Sequence, residues 1–349
     1  MIKILSALFL SFLLLKSPVL LAGVKEKKEV NLYSYRQEFL LRPFLNAFTK
    51  RTGIKVNVVF MKKGLLQRLK AEGIHSPADV ILTVDIGHLE LLSELKLLKK
   101  IKSKIVEENI PVSFRDPKGY WIGLSARARV LYYSKERVKI SELKSYDDLA
   151  GKKFKGKICS RSGLHSYNLG LLSSIVYHHG EKYALSWAKN VRANLARSPQ
   201  GNDRGQVKAI SEGLCDLAIG NTYYMGKMLE NPKQRNWAAS AGIFFPNQES
   251  TGSHINITGA GIVKSSKNKE SALKLVEFLT NDLAQHMYAQ VNHEYPLKNG
   301  VGLSGIVKSF GGGQKGIENG FFKKDVGALL SIAKLRTKAI KIMNQAGFD

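Results

Sequence analysis

Short apolar runs alternate with amphipathic stretches along most of the chain. Residues 30–34 predict a strand, and Phe39, Leu40, Leu41, Phe44, Leu45 and Phe48 then recur at helical spacing. Pro43 has no N–H to give to a helix interior, so this helix is expected to hold it in the first turn. Residues 54–60 predict a β-branched strand, 65–71 a helix, 79–83 a strand and 86–95 a helix. A second series predicts strands at 120–124, 129–133, 157–160 and 216–221. Its helices are predicted at 169–178, at 182–191 and from Tyr223, and Ser145-Tyr146-Asp147-Asp148 has the layout of a capping box. Strands at 242–245 and 255–263 and helices at 271–280 and 327–343 close the chain. Such alternation builds a parallel sheet with helices on both faces. At 349 residues it calls for two α/β lobes rather than one oversized core.

The first residues follow a different rule. Met1-Ile2-Lys3 starts positively, residues 4–15 are apolar, and Lys16-Ser17-Pro18 breaks the run before the small residues Ala22-Gly23. That order is a secretory signal peptide over residues 1–22, which implies export. No apolar run reaches the ~18–20 residues of a spanning helix. Two cysteines exclude a disulfide scaffold and a Cys-rich metal module. The net charge of +26 invites a nucleic-acid reading. The lysines, however, are scattered in ones and twos among acids, with no basic arm or aromatic RNA-binding signature, so nucleic acid is not an expected partner.

Ligands of open α/β sheets bind beyond the carboxyl ends of the strands. Four such junctions stand out: residues 33–38, 83–88, 160–168 and 220–226. In the last, Tyr223 and Tyr224 follow Asn221-Thr222 at a helix start, where adjacent side chains diverge by about 100° and cannot both enter one core face. A phenol has a pKa of about 10 and becomes a good ligand only when a cation displaces its proton, as a hard trivalent ion does. Stacking on a sugar or packing the helix start is the competing reading of the pair. Arg36, Arg127 and Arg129 are candidate anion clamps or interlobe ion-pair partners. Asp85 is expected to cap a helix. His88 and His165 are candidate ligands, and His178-His179 falls near a helix end. Gly311-Gly312-Gly313 lacks the context of a phosphate loop.

Taken together, Val30–Gln37, Ser76–Asp85, Arg127–Val130, Pro199–Asp203, Asn221–Gly226, Phe244–Gln248 and Lys341–Gly347 resemble the periplasmic ferric-ion-binding proteins of bacterial iron(III) ABC uptake systems. The resemblance covers nearly the whole mature chain. It implies a type II periplasmic-binding-protein fold, with residues 23–128 and 241–300 in the first lobe and 129–240 and 301–349 in the second, joined by a hinge. It implies Fe(III) held by phenolates of Tyr167, Tyr223 and Tyr224, with Arg36 and Arg127 suited to a synergistic (bi)carbonate. Some members carry a His-Tyr pair after the first arginine. This chain has Gln37-Glu38 there, so an anion, water or Glu38 has to complete the shell. It further implies a monomeric periplasmic carrier, not an enzyme, working with an ABC permease in the inner membrane.

Cys159 and Cys215 open two strands of the second lobe. If adjacent, they close a disulfide loop of about 55 residues worth ~4 kcal/mol; otherwise each is a small buried residue. The alternatives keep the fold and change the ligand to another anion or a polyamine, or make the chain an exported enzyme. No nucleophile elbow or His-Glu-x-x-His motif supports the last.

Overall fold

The computed structural model describes residues 28–349, so the signal peptide expected over residues 1–22 lies outside the described residues. Seven elements open the fold: β1 (Glu29–Ser34), α1 (Glu38–Thr52), β2 (Lys55–Phe60), α2 (Leu65–Glu72), β3 (Val80–Thr83), α3 (Ile86–Glu94) and β4 (Leu98–Lys99). β1 lies between β2 and β3, parallel to both. The apolar face read from the helical period of α1 is the buried one: Leu40, Leu41, Phe44, Leu45 and Phe48. Pro43 sits in the second turn of α1 rather than the first. Its missing N–H would have met the carbonyl of Phe39, a residue 55% exposed at the solvent-facing start of the helix, where the loss of that bond is cheaper than in a buried turn. Gly53 ends the helix with φ 69°, a conformation few other residues adopt cheaply.

α4 (Lys104–Asn109) leads to β5 (Ile122–Ser134), a single strand of 13 residues where the sequence predicts two. The difference arises because Ser125, Arg127 and Arg129 are polar yet buried, so polarity does not mark solvent there. Next come β6 (Ile158–Cys159), α5 (Ser166–Ala193), α6 (Asp203–Ser211), β7 (Leu217–Asn221), α7 (Thr222–Glu230), α8 (Arg235–Ser240), β8 (Ala241–Phe244) and β9 (Ser253–Val263). The chain closes with α9 (Lys269–Thr280), α10 (Asp282–Gln290), β10 (Tyr295–Pro296), α11 (Gly305–Lys308), β11 (Lys324–Asp325) and α12 (Ile332–Gln345). α5 breaks at Gly180 (φ 81°, ψ 169°), so its halves are the two helices the pattern predicts. α12 starts five residues later than the pattern predicts, after a short 3-10 turn at Leu329–Ser331.

The main strand order is β2-β1-β3-β9-β5-β7-β6. The flanks are parallel, β1 with β2 and β3 on one side and β6 with β7 on the other. The centre is antiparallel, which the strand–helix alternation alone does not foretell. β5 pairs with β9 through Ala128 and with β7 from Arg129 onward, so one strand passes through both lobes. Phe44, Phe48, Phe278 and Tyr288 anchor the core of the first lobe, and Leu172, Trp187 and Met343 that of the second. Cys159 and Cys215 form a disulfide with Cα atoms 5.8 Å apart, tying β6 to the entrance of β7.

Candidate metal centre

β7 ends at the fully buried Asn221, and Thr222, Tyr223 and Tyr224 form the first turn of α7. Gly220 permits this ending. A Cβ there would lie 1.9 Å from the Tyr132 ring, whose hydroxyl donates to the Asn221 carbonyl at 2.5 Å. Tyr167 occupies the first turn of α5 behind His165, whose Nδ1 accepts the Tyr167 N–H at 3.2 Å. The Tyr223 and Tyr224 rings lie 4.0 Å apart. The Arg127 guanidinium stands 5.8 Å from the Tyr167 ring centre and 6.0 Å from that of Tyr223, so the three tyrosines share one space. Tyr167 and Tyr223 are buried and Tyr224 is half-buried.

Burial, then the neighbouring Tyr167 and Tyr224, raises the Tyr223 phenol well above its ordinary value. The Tyr224 phenol is raised by burial first, then by Tyr167 and by the charge of Asp203. Both are therefore protonated at neutral pH. Guanidiniums surround them. Arg129 and Arg161 face the Tyr167 ring at 5.8 and 5.4 Å, and Arg204 faces Tyr224 at 5.5 Å. The buried Asp203 accepts from Arg129 at 2.8 Å, from Arg161 at 3.0 Å and from the Asn221 N–H at 2.8 Å, which pins the turn carrying the tyrosine pair. Burial pushes the Asp203 carboxyl up, but Arg129 and Arg161 outweigh it and hold the group below its usual range. Arg129 is satisfied further by Asn168 at 2.6 Å and Asn221 at 3.2 Å, so it is a structural ion-pair partner rather than a free clamp.

Arg36 is already paired. It contacts the fully buried Glu294 at 2.6 Å and donates to the Thr258 hydroxyl at 2.9 Å, while Glu294 accepts from Ser125 at 2.5 Å. Arg127 donates to the same Thr258 oxygen and to the Val84 carbonyl at 2.6 Å. Gln37 is exposed ahead of α1, and Glu38 pairs with Arg42 one turn along the helix. No hydrogen bond among the described residues carries either to the tyrosines. Asp85 caps α3 through the His88 N–H at 3.1 Å and also contacts His88 Nδ1 at 2.7 Å. His165 is pushed down to about 3 by burial and by Arg161, which keeps its ring neutral. His178 sits at the break in α5 and pairs with Asp325 at 3.1 Å.

No group of three or more His, Cys, Asp or Glu among the described residues is arranged to hold a metal. The hard oxygen groups that stand close together at the site are the phenols of Tyr167, Tyr223 and Tyr224. Several neighbours escape the sequence reading. Arg161 and Asn168 lie within a junction the pattern singles out, and Asp203 begins a helix just after Pro199-Gln200-Gly201-Asn202. Arg204, Thr258 and Glu294 lie outside every such junction, and only folding brings them to the site.

Two α/β lobes sharing their central strands, with buried phenols and guanidiniums at strand ends, define a type II periplasmic-binding-protein fold: a solute carrier rather than an enzyme. Residues 59–304 match the bacterial extracellular solute-binding protein family, and the chain belongs to it. It is 44% identical to iron uptake protein A1 of Synechocystis over 326 residues, 93% of this chain and 88% of that protein. The apo ferric ion-binding protein A of Pasteurella haemolytica superposes with a TM-score of 0.87 at 49% identity, covering 92% of this chain and 98% of that one. A Trichodesmium protein in complex with iron and citrate superposes at 0.84 with 40% identity, covering 92% and 100%.

Proposed function

We propose that this protein is a periplasmic carrier that captures Fe(III) through the phenolate oxygens of Tyr167, Tyr223 and Tyr224, with a synergistic anion, and delivers it to an ABC permease. The observation that carries the reading is the convergence of three tyrosines beside Arg127, with no group of three or more His, Cys, Asp or Glu among the described residues as an alternative donor set. Three phenolates balance the charge of a ferric ion, and phenolate oxygen suits a hard trivalent cation. The names of the relatives point to the same cargo. In this reading Arg127 is the residue placed to meet the anion, which bicarbonate or citrate supplies. Arg36 acts behind it through Thr258, and Gln37 and Glu38 stay outside the shell.

The strand pairing supports a lobe division at Ala128/Arg129 on the outward pass. For the return it favours residue 255 over residue 241, since β8 pairs with residues 131–134. All three tyrosines then belong to the second lobe, so the metal docks before the hinge closes. In this reading the signal peptide over residues 1–22 exports the carrier to the periplasm, where it works as a monomer.

The test is a visible-absorption titration of the mature protein with ferric iron, in bicarbonate and in citrate. A tyrosinate-to-iron charge-transfer band saturating at one equivalent, and lost in Tyr223→Phe and Tyr224→Phe, is the expected result. Absence of a band in both media would sink the ferric reading.

A further inference from the structure

The lysines are scattered along the sequence but not in the fold. Residues 96–104 hold Lys96, Lys99, Lys100, Lys102 and Lys104, and residues 264–269 hold Lys264, Lys267 and Lys269, with no acid in either segment. β4 brings the two together: Leu98 pairs with Val263, Lys99 with Ile262, and the Lys264 N–H donates to the Leu97 carbonyl at 2.9 Å. Ser103 then ties the far end of the first segment to Glu277 of α9, the helix that Lys269 opens, at 2.7 Å. All eight lysines are exposed. None forms an ion pair among the described residues, whereas Lys153 and Lys157 of the second lobe are paired with Glu142 and Asp216.

This face stands at the end of the first lobe opposite the tyrosines. β9 runs antiparallel to β3, so Val263 lies beside the amino end of β3, while the carboxyl end of β3 leads to Val84, whose carbonyl receives Arg127. The exposed Glu94, Glu107, Glu108 and Glu270 border the face, and eight lysines against four acids still leave it at +4. Aliphatic side chains stand between the charges: Leu95 beside Lys96 is 37% exposed, and Ile105 beside Lys104 is 47% exposed. Lysines around exposed aliphatics suit the boundary between lipid headgroups and acyl chains, because their stems lie along apolar surface while the ammonium groups meet phosphates. A soluble polyanion offers the charges but nothing for the aliphatic side chains.

We propose that this face binds the anionic surface of a phospholipid bilayer, so that the carrier is held at a membrane by an electrostatic contact while its tyrosine end stays free to load. The inference is independent of what the tyrosines bind. Each lysine brought against an anionic headgroup layer strengthens binding about 5-fold, and the contact fades with salt as the charges are screened.

The experiment mixes the mature protein with phosphatidylcholine vesicles, with mixed phosphatidylcholine–phosphatidylglycerol vesicles and with heparin beads, at low and at high salt, and reads the bound fraction after sedimentation. Two variants each lose three exposed lysines: Lys99→Gln/Lys100→Gln/Lys102→Gln on this face, and Lys152→Gln/Lys153→Gln/Lys155→Gln on the second lobe. Wild-type protein is expected to bind the mixed vesicles at low salt, to leave them at high salt and to ignore the neutral ones. The first variant should bind them about 100-fold more weakly while melting at the wild-type temperature, and the second should bind as wild type does. Ile105→Ser should weaken vesicle binding and leave heparin binding unchanged. No binding of wild type to the mixed vesicles overturns the proposal, as does equal affinity in wild type and the first variant. Equal loss in both triple variants also overturns it, since that marks net charge rather than this face. Heparin binding without vesicle binding, or an Ile105→Ser protein that holds the vesicles as tightly as wild type, overturns the bilayer as the partner in favour of a soluble polyanion.

Discussion

Replacing Asp203 by Asn tests whether the site is organised by one buried charge. The carboxylate is fully buried, takes two guanidiniums at 2.8 and 3.0 Å and fixes the Asn221 amide at the root of the tyrosine turn. Breaking a buried ion pair by neutralising one partner costs ~3–5 kcal/mol, because the remaining charge stays buried. Asn keeps one acceptor oxygen of the right shape, which argues for the lower end, about 3 kcal/mol. With each kcal/mol worth roughly 2–4 °C in a body of this size, melting should fall by about 6–12 °C by differential scanning calorimetry. The sign of a second effect is opposite. Asp203's charge helps hold the Tyr224 phenol protonated, so Asp203→Asn should move the Tyr224 step of an ultraviolet titration, isolated as the difference from Tyr224→Phe, to lower pH. The exposed Lys338–Glu181 pair at 2.6 Å is the control, and Lys338→Ala should cost under about 1 kcal/mol. An Asp203→Asn protein that melts within about 2 °C of wild type, with an unchanged tyrosine titration, would refute the argument.

Three further outcomes follow from the same geometry. Removing the Cys159–Cys215 disulfide by double Ser substitution frees a loop spanning 56 positions, a loss of ~4 kcal/mol in the entropy model, seen as a melting point lower by about 8–16 °C; an unchanged melting curve contradicts it. Gly220→Ala places a methyl 1.9 Å from the Tyr132 ring and displaces it from the Asn221 carbonyl, so soluble yield and urea midpoint should drop, by at least ~1–3 kcal/mol in stability. Iron affinity should fall as pH falls. The Tyr223 and Tyr224 phenols are raised and hold their protons at neutral pH, so binding must release them. Up to three protons means a loss of as much as about 10³-fold per pH unit, measurable by chelator competition, and a dependence shallower than tenfold per unit removes the three-phenolate site.

Local features of the fold were legible because they depend on neighbours a few residues apart. The capping box at Ser145 forms with Asp148 as its layout requires, and Asp85 caps α3. Tyr223 and Tyr224 stand at a strand end because β-branched and small residues lead directly into a helical period. β5 was harder. Its alternation of Ser125, Arg127 and Arg129 with alanines resembles a break, since hydropathy cannot distinguish arginine in water from arginine paired inside. Pro43 misled for a related reason, because the cost of a missing N–H depends on whether water reaches the orphaned carbonyl.

What the sequence hides most completely is the pairing of charge. Arg36 reads equally as an anion clamp or an interlobe ion-pair partner, and the Glu294 that decides between them stands 258 positions away. Arg129 meets Asp203 across 74 positions. The fold commits the buried Arg36, Arg129 and Arg161 to carboxylates and leaves the equally buried Arg127 without one. Overall net charge cannot make that distinction, since most of it lies in scattered lysines. A buried guanidinium is costly unless compensated, so the places where the fold withholds an internal carboxylate are those where an external anion gains most. The disposition of Glu294 and Asp203, more than the arginines themselves, therefore decides which side of the tyrosine cluster remains open to an anion that accompanies the metal.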